Sequence, residues 1–555
     1  MRLKTPLSPI LKECFQSDDL LPSGPLSSNS AWDEVKAPAN RDNDPGKFIA
    51  FSGNEDTSSG ERFKIYTGLQ NRSFILYYGS DTVAYMKINI QPNIATPVFQ
   101  QIVDQVHFAI SAGELLPGAR LPSIRSVATD LGIAPNTAAK AYRQLEFRGL
   151  ITAHDRSGYS VLAAGTDSRY QARGVSADKT EVHDAVDKLE QGLFPGAFCK
   201  VTEDFLSGDP AKCNVIHADG AGTKSIVAYL WYKETGDASV FRGIAQDSIV
   251  MNLDDLLCVG VNGRILISNT VNRNALNCPG EVISELIDGT EAFLESMREH
   301  GINIYSGGGE TADVGDLTGT LVVDSCAVAV MDKADVITNA ITSDLAIIGL
   351  SSTGLANYEQ HANSGMGSNG LTNARHDMLS SHYADNYPEA FDANLDPSLV
   401  YCGPYRLSDS LPDSAFSVGE AILSPTRTYA PVIYQLRAAL GDHVKGIIHC
   451  SGGAQTKCLR FGTGVHYIKD NLFAIPPLFA AIQAVSGTGW EEMFKVFNMG
   501  HRMEVYVPAA KADEAIRIAS SLGVDAKVIG HTQGVDGPNT LSLTDTTGRQ
   551  FRYQQ

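Results

Sequence analysis

His217-Ala-Asp-Gly-Ala-Gly-Thr-Lys224 brings a carboxylate, a hydroxyl, an ammonium and two glycines into eight residues. Gly220 and Gly222 let a backbone turn sharply and aim its N–H groups at an anion. Thr223 adds a hydroxyl, Lys224 a point charge for phosphate, and Asp219 a ligand for the Mg²⁺ that accompanies a nucleotide. Short glycine motifs recur by chance, and such residues on their own more often make an ordinary strand-to-helix turn whose lysine lies in solvent, so the weight falls on motifs further along the chain. Asp254-Asp255 are adjacent carboxylates at the end of an apolar helical stretch. Gly307-Gly-Gly-Glu-Thr-Ala-Asp313 sets Glu310 and Asp313 on a glycine turn, where close backbone approach and metal ligation can coincide. Asp219, Asp255 and Glu310 thus come from three elements, a pattern suited to Mg²⁺ held by scattered carboxylates and phosphate oxygens. Taken singly, each also suits a surface acid or a helix cap. His449, ahead of Gly452-Gly453, is of the residue type suited to proton transfer near neutral pH, and it suits a structural hydrogen bond equally well. His501 is a weaker rival for that role.

The elements that must position these groups read as α/β from Tyr170 onward. Asn214 to His217 is a short buried strand and Ser225 to Tyr232 a helix; Ala177 to Gly192 is another. Helical periodicity also covers Phe241 to Leu257 and Glu281 to His300. Ile302 to Ser306 is a strand leading into the glycine turn, and Leu317 to Val330 and Leu345 to Leu350 are further strands.

Composition bounds the function classes. At 555 residues the chain has room for three or four domains, and 43% hydrophobic with 19% charged residues describes a globular protein with a sizeable core. A formal charge of −19 argues against coating nucleic acid or membrane along the whole length, though not against one small DNA-reading domain. Nine cysteines without a C-x-x-C pair suggest neither a zinc site nor a disulfide framework, and fit reduced thiols. No apolar run approaches a transmembrane length and no signal-peptide core is present, so a cytoplasmic protein with no membrane partner is expected. Pro, Ser, Asn and Asp dominate to Gly60, and Phe74-Ile-Leu-Tyr-Tyr78 lacks turn chemistry that would pair it. Residues 1–85 are therefore expected to be a disordered tail, or an extension ahead of a biological start at Met86.

From Met86 to about Ala164 the pattern is helix, helix–turn–helix and hairpin. Phe99 to Ala112 has helical spacing, Ser123 caps a helix through Asp130, Asn136 caps Thr137 to Arg148, and Ile151 to Leu162 alternates around Asp155–Gly158. The run Pro117 to Ile151, PGARLPSIRSVATDLGIAPNTAAKAYRQLEFRGLI, resembles the GntR family of bacterial regulators in its YtrA-like branch. That resemblance implies a winged helix-turn-helix over 86–165. It places Arg125 near phosphate or a base edge, Asn136, Thr137 and Lys140 in the major groove, and a wing at Arg156 and Gly158. Seven basic residues stand against five acids from Lys87 to Arg156, so the module is only weakly basic. A three-helix adaptor that has lost its DNA contacts remains the alternative.

The acidic and glycine motifs, taken together, resemble the aminoimidazole ribonucleotide synthase family, formally phosphoribosylformylglycinamidine cyclo-ligase. Asp219 to Lys224, Asp254-Asp255 and Gly308 to Thr311 recur in the family's order. They are followed by Gly365 to Leu371, Leu423 to Tyr429, His449 to Gly453 and Phe497 to Met503. Departures are Ala454 in place of a third glycine, His501-Arg502 in place of a smaller pair, and an insertion-rich segment, Tyr358 to Tyr405. The resemblance implies a two-domain α/β (α+β) unit: 170–345 with an ATP site and the dimer interface, and 346–555. It implies ATP and Mg²⁺ as cofactors, formylglycinamidine ribonucleotide as substrate and a homodimer, which also suits a winged module on two-fold operator DNA. Gly220, Gly222, Thr223, Lys224, Asn369 and Arg427 are then nucleotide-binding candidates, Asp219, Asp255 and Glu310 the Mg²⁺ ligands, and His449 with Lys224 the catalytic candidates. Two alternatives stand beside cyclisation. One is another ATP-dependent superfamily member, such as a selenophosphate synthase, a thiamine-phosphate kinase or a hydrogenase-maturation relative. The other is a GntR-type regulator whose second half only senses a purine precursor.

Overall fold

Four short β-prone runs precede the helical module: β1 Ile49–Gly53 pairs with β2 Phe63–Thr67, and β3 Ser73–Gly79 with β4 Thr82–Ile88, both antiparallel. The computed structural model describes residues 188–555 without a break and, before them, 49–53, 63–67, 73–79, 82–88, 97–111, 118–147, 150–154, 158–161 and 171–175, with isolated positions between. Phe74 to Tyr78, read as unpaired in the sequence, thus lies in a hairpin in which Gly79 faces Thr82. Cross-strand pairing stabilises such a run without any turn signature, which is why turn chemistry alone misses it. Met86 falls inside β4. Residues 1–48, most of the expected tail, lie outside the described residues, as does Arg156.

The winged module follows its sequence pattern closely: α1 Val98–Ser111, β5 Arg120–Leu121, α2 Ile124–Leu131, α3 Pro135–Phe147, β6 Ile151–His154 and β7 Gly158–Val161, with β7 antiparallel to β5. Ser123 caps α2, its side chain accepting from the Ser126 N–H at 3.1 Å, and Gly132 in the left-handed region ends it. Pro135 opens α3, so Asn136 lies within the first turn and not at the cap. Tyr142 locks the module by donating to the Pro122 carbonyl at 2.8 Å and meeting Tyr159 edge to face.

A second compact unit takes in Leu162–Gln555. Its first sheet comprises β8 Val201–Glu203, β9 Lys212–Gly220, β10 Ile265–Arg273, β11 Ile304–Asp313 and β12 Leu321–Asp332, in the order β11-β10-β12-β9-β8. Only β10 and β11 run parallel. β12 alternates buried and open positions along its length, as a strand covered on one face should. The cover is α5 Phe241–Cys258, which follows α4 Lys224–Thr235, and α6 Gly280–Glu299. α5 is buried all round because it packs on β9 and β12 and also on β14 Gly446–His449 of the next sheet.

That next sheet also contains β13 Leu345–Ser351, β15 Val465–Lys469, β16 His501–Pro508, β17 Ala526–Gly534, β18 Thr540–Thr544 and β19 Gln550–Gln554. Its order is β14-β16-β13-β17-β15-β18-β19. β13 is buried throughout, which explains its continuous apolar run. The helix expected over 177–192 falls largely outside the described residues, and 188–192 are turn and irregular chain. Among the described residues no helix is long and apolar enough to cross a membrane.

Two expected turns are strands. β9 continues through His217-Ala-Asp-Gly220, leaving only Ala221–Thr223 to turn, and β11 continues through the glycine-rich Gly307–Asp313. The glycines have other reasons. A side chain on Gly220 would collide with the Asp324 carboxylate and the Val323 carbonyl, Gly222 has φ +59°, and a side chain on Gly309 would strike the Asn269 carbonyl at 2.4 Å. The β10/β11 register shifts by one residue between Ile267 and Asn269, and the glycines admit that bulge.

Candidate functional site

α5 carries the acids into the space between the two sheets. Asp255 is buried; its Oδ1 accepts from His449 Nδ1 at 2.6 Å and its Oδ2 lies 3.3 Å from His217 Nε2. Burial works to raise this carboxyl, but the His449 hydrogen bond and charge outweigh it and hold it below the usual range. His449 ends β14 just before the Gly452-Gly453 turn, is fully buried, and its Nε2 has no hydrogen-bond partner among the described residues. Asp254 points the other way, accepting from Thr428 Oγ1 at 2.6 Å and the Tyr429 N–H at 3.2 Å, with Arg502 at 3.5 Å. Burial dominates there and raises the carboxyl.

Asn252, one turn before, fixes the orientation of His217. Its Nδ2 donates to the carbonyls of Asp219, Ser248 and Ser325, so its Oδ1 must accept, and it does so from His217 Nδ1 at 2.9 Å. Asp219 is exposed at the end of β9, and Asp324 of β12 shares its surroundings. Burial, and then the Asp219 charge, raise the Asp324 carboxyl, and no lysine or arginine among the described residues pairs with either acid. The sequence reading missed Asp324; its signal was a carboxylate standing alone in the apolar alternation Leu321-Val-Val-Asp-Ser-Cys-Ala-Val328.

The proposed ligand trio does not assemble within one chain. Glu310 lies on the edge strand β11, with β10 and β12 between it and Asp219 on β9. Three interstrand spacings separate those strands by about 14 Å. Asp255 meanwhile has both oxygens turned to imidazoles. Scattered carboxylates looked alike in sequence because sheet order and helix rotation were not visible there.

Lys224 also differs from its reading as a phosphate ligand. It is 0% exposed, and its ammonium pairs with Asp247 Oδ1 at 2.9 Å and donates to the Ser424 carbonyl. Burial lowers its pKa, against the Asp247 charge. The same Asp247 oxygen accepts the Thr426 N–H at 2.7 Å, so Lys224 and Asp247 tie α4 and α5 to the Leu423–Tyr429 motif. Arg427 is likewise structural. It is buried, pairs with Glu359, and donates to the carbonyls of Ser351, Thr353 and Gly354 at the end of β13.

What remains near Gly220 and Gly222 is backbone. Thr223 is the N-cap of α4 but its side chain accepts none of that helix's N–H groups, and Gly370, without a side chain, is the N-cap of α7 Leu371–Met378. The two N-termini meet, Thr223 Oγ1 lying 3.2 Å from Thr372 Oγ1. Asn369, half-buried, stands beside them, near enough to Gly452 that a side chain there would come within 3.8 Å of its amide. Uncapped N–H groups from two helices are suited to an anion. A cavity of about 770 Å³ lies elsewhere, between α5, α6 and Tyr358–Asn363, and Asp219, Asp255 and His449 do not line it.

His501, the weaker rival, is committed to a second buried cluster. Glu504 accepts from Lys469 Nζ, from His501 at 3.0 Å and from Tyr506 at 2.6 Å. Burial opposes its charge, but Lys469 and His501 outweigh burial and bring its carboxyl from 4.5 to about 2. A depressed carboxyl contributes stability that is whole above the unfolded value and disappears as pH falls through the folded one. Unfolding free energy should therefore drop between pH 4.5 and about 2, and Glu504→Gln should flatten that part of a urea-midpoint titration.

In the winged module Arg125, Asn136 and Lys140 are exposed and Thr137 is half-buried. Asn136 and Lys140 share a face of α3, with the Lys140 ammonium 3.8 Å from the Phe99 ring centroid.

Comparison with known proteins agrees with this division. Residues 99–161 match the gntR family of bacterial regulatory proteins. Residues 203–331 match the N-terminal domain of AIR synthase related proteins, and 344–540 the C-terminal domain. Phosphoribosylformylglycinamidine cyclo-ligase of Methanococcus vannielii is 30% identical over 321 residues, covering 58% of this chain and 77% of that protein. The one from Methanocaldococcus jannaschii is 31% identical over 318 residues, covering 57% and 77%. T. maritima PurL complexed with ADP superposes with a TM-score of 0.38 at 12% identity, over 69% of this chain and 50% of that one, too distant a likeness to carry an argument. With its domains in this order, the chain belongs to the AIR synthase related family and carries a domain of the gntR regulator family ahead of the synthase-like pair.

Proposed function

We propose that the chain closes the imidazole ring of aminoimidazole ribonucleotide from formylglycinamidine ribonucleotide in purine biosynthesis, using ATP. The observation that carries this reading is the Asp255–His449 pair, an imidazole oriented by a carboxylate through Nδ1 and left unpartnered at Nε2. ATP, when bound, supplies the phosphoryl group that turns an amide oxygen into a leaving group. Asp219 and Asp324 fit the accompanying Mg²⁺, being neighbouring carboxylates with no lysine or arginine partner among the described residues, oxygen donors of the kind a hard cation takes. Gly222, Thr223 and Asn369 fit phosphate, the first two through the N–H groups where α4 begins and Asn369 beside the start of α7; the Gly220 N–H already donates to Asp219 Oδ1 at 2.7 Å. His449 takes and returns a proton at Nε2, while Asp255 holds the ring in place. Phosphate release in the presence of formylglycinamidine ribonucleotide and ATP tests the assignment; nucleotide hydrolysis indifferent to that substrate would discard it.

A homodimer accompanies this reading. α5 and α6 cover one face of the first sheet, and the other face carries Ile216, Val328, Leu266 and Tyr305 in register across four strands. Ile216, Leu266 and Tyr305 are about half exposed, an apolar row that a second copy would cover. Leu266→Asp should shift the sedimentation coefficient to that of a monomer, and an unshifted dimer would refute this interface. Arg125, Asn136, Thr137 and Lys140 would present the winged module to operator DNA, measurable as binding to the promoter of the chain's own operon.

A further inference from the structure

Cys199, His217 and Asp255 place a sulfur, a ring nitrogen and a carboxylate oxygen within 4.8 Å of one another. Cys199 and Asp255 are buried and His217 is partly so, which leaves one open side. The hydrogen bonding around His217 determines what it offers. Asn252 holds three carbonyls with its amide nitrogen, so the neutral ring carries its proton on Nδ1, toward Asn252 Oδ1. The Nε2 lone pair therefore faces the lone pairs of Asp255 Oδ2 at 3.3 Å, two acceptors with nothing shared between them. A cation resolves that conflict. Asn252 then plays the part of the outer partner that metal-ligating histidines generally have, fixing tautomer and ring direction.

We propose that Cys199, His217 and Asp255 bind a thiophilic divalent transition metal ion of the Zn²⁺ class. Thiolate, imidazole and carboxylate are the donors zinc selects, whereas Mg²⁺ prefers oxygen alone, so this corner is chemically distinct from the Asp219 and Asp324 pair. On binding, the Cys199 thiol gives its proton to solvent, its sulfur forms the S–metal bond, and no oxidation state changes. Burial, and then the Asp255 charge, push the Cys199 thiol up, so the free site keeps its proton until a cation takes the sulfur; the Lys457 ammonium, bound to Ser451 Oγ at 2.9 Å and lying over the Phe198 ring, only partly offsets them. The other donor cluster, Cys450, His501 and Glu504, is an internal control. There the Lys469 ammonium already occupies the carboxylate, so no ion is called for.

The full chain, stripped of metal, is titrated with Co²⁺ and followed by its thiolate-to-cobalt absorption. One equivalent per chain is expected to produce the band, and Zn²⁺ to displace it. Cys199→Ser should abolish the band, with unchanged circular dichroism showing an intact fold. His217→Gln, the second variant, should weaken Co²⁺ binding by more than about 100-fold, beyond the usual effect of an outer-shell change. Cys450→Ser should leave the band as it was. Absence of the band, its persistence in Cys199→Ser, or its loss in Cys450→Ser overturns the proposal; a protonated His217 paired with Asp255 would give the first of these. Because the readout is metal binding, ring closure can fail while this site stands, and the reverse.

Discussion

Lys224→Ala is expected to lower the unfolding free energy by about 3–5 kcal/mol, the range for removing one partner of a buried ion pair. Lys224 and Asp247 are both 0% exposed at the side chain, so no water takes the place of the missing ammonium. Asp247 Oδ2 already lacks a hydrogen-bond partner, and the substitution would leave the carboxylate facing only Thr426. Three segments loosen together: α4, α5 and the Leu423–Tyr429 stretch. Paired replacement separates this account from a phosphate-binding one. Lys224→Met with Asp247→Asn removes both charges and should recover much of the stability that Lys224→Met alone loses, measured as urea midpoints. If Lys224→Ala unfolds at the parent midpoint but loses turnover, the lysine serves phosphate after all and the structural assignment is wrong.

His449→Gln is expected to reduce kcat for phosphate release by about 10²–10⁴-fold, the usual worth of a positioned acid–base group. The replacement keeps a hydrogen-bonding side chain beside Asp255 but cannot exchange a proton at the position of Nε2. Asp255→Asn should act in the same direction through a different route. The ring remains, but its Nδ1 loses the carboxylate that orients it, so the effect belongs mainly to kcat and less to KM. A His449→Gln enzyme turning over within about threefold of the parent would remove proton transfer from the mechanism. Both residues are buried, so each variant needs an unfolding midpoint close to the parent for its rate to be read.

Local signals carried the winged module. Ser123, Gly132 and the spacing of Val103, Val106 and Ile110 are short-range features, and the helices formed where they indicated. In the second unit, α5 and α6 matched their periodicity within a residue or two, because long amphipathic or fully apolar runs have few other ways to bury themselves. The glycine motifs were located correctly but misread. Glycine marks a turn and a close approach equally well, and only the neighbouring strand, with Asp324 over Gly220 and Asn269 against Gly309, decides between them.

The order of motifs alone determined the family and its domain succession, since each motif is a contiguous run whose residues need no partner to be recognised. Which charges are free to meet a ligand was decided only by tertiary packing. Lys224 and Arg427 look like nucleotide contacts in one dimension and are pinned inside by Asp247 and Glu359, residues 23 and 68 positions away. Asp255 and His449 are 194 positions apart, and α5 against β14 is what joins them. A side chain's availability depends on burial and on partners from distant segments, and neither quantity is a property of the residues next to it in the chain.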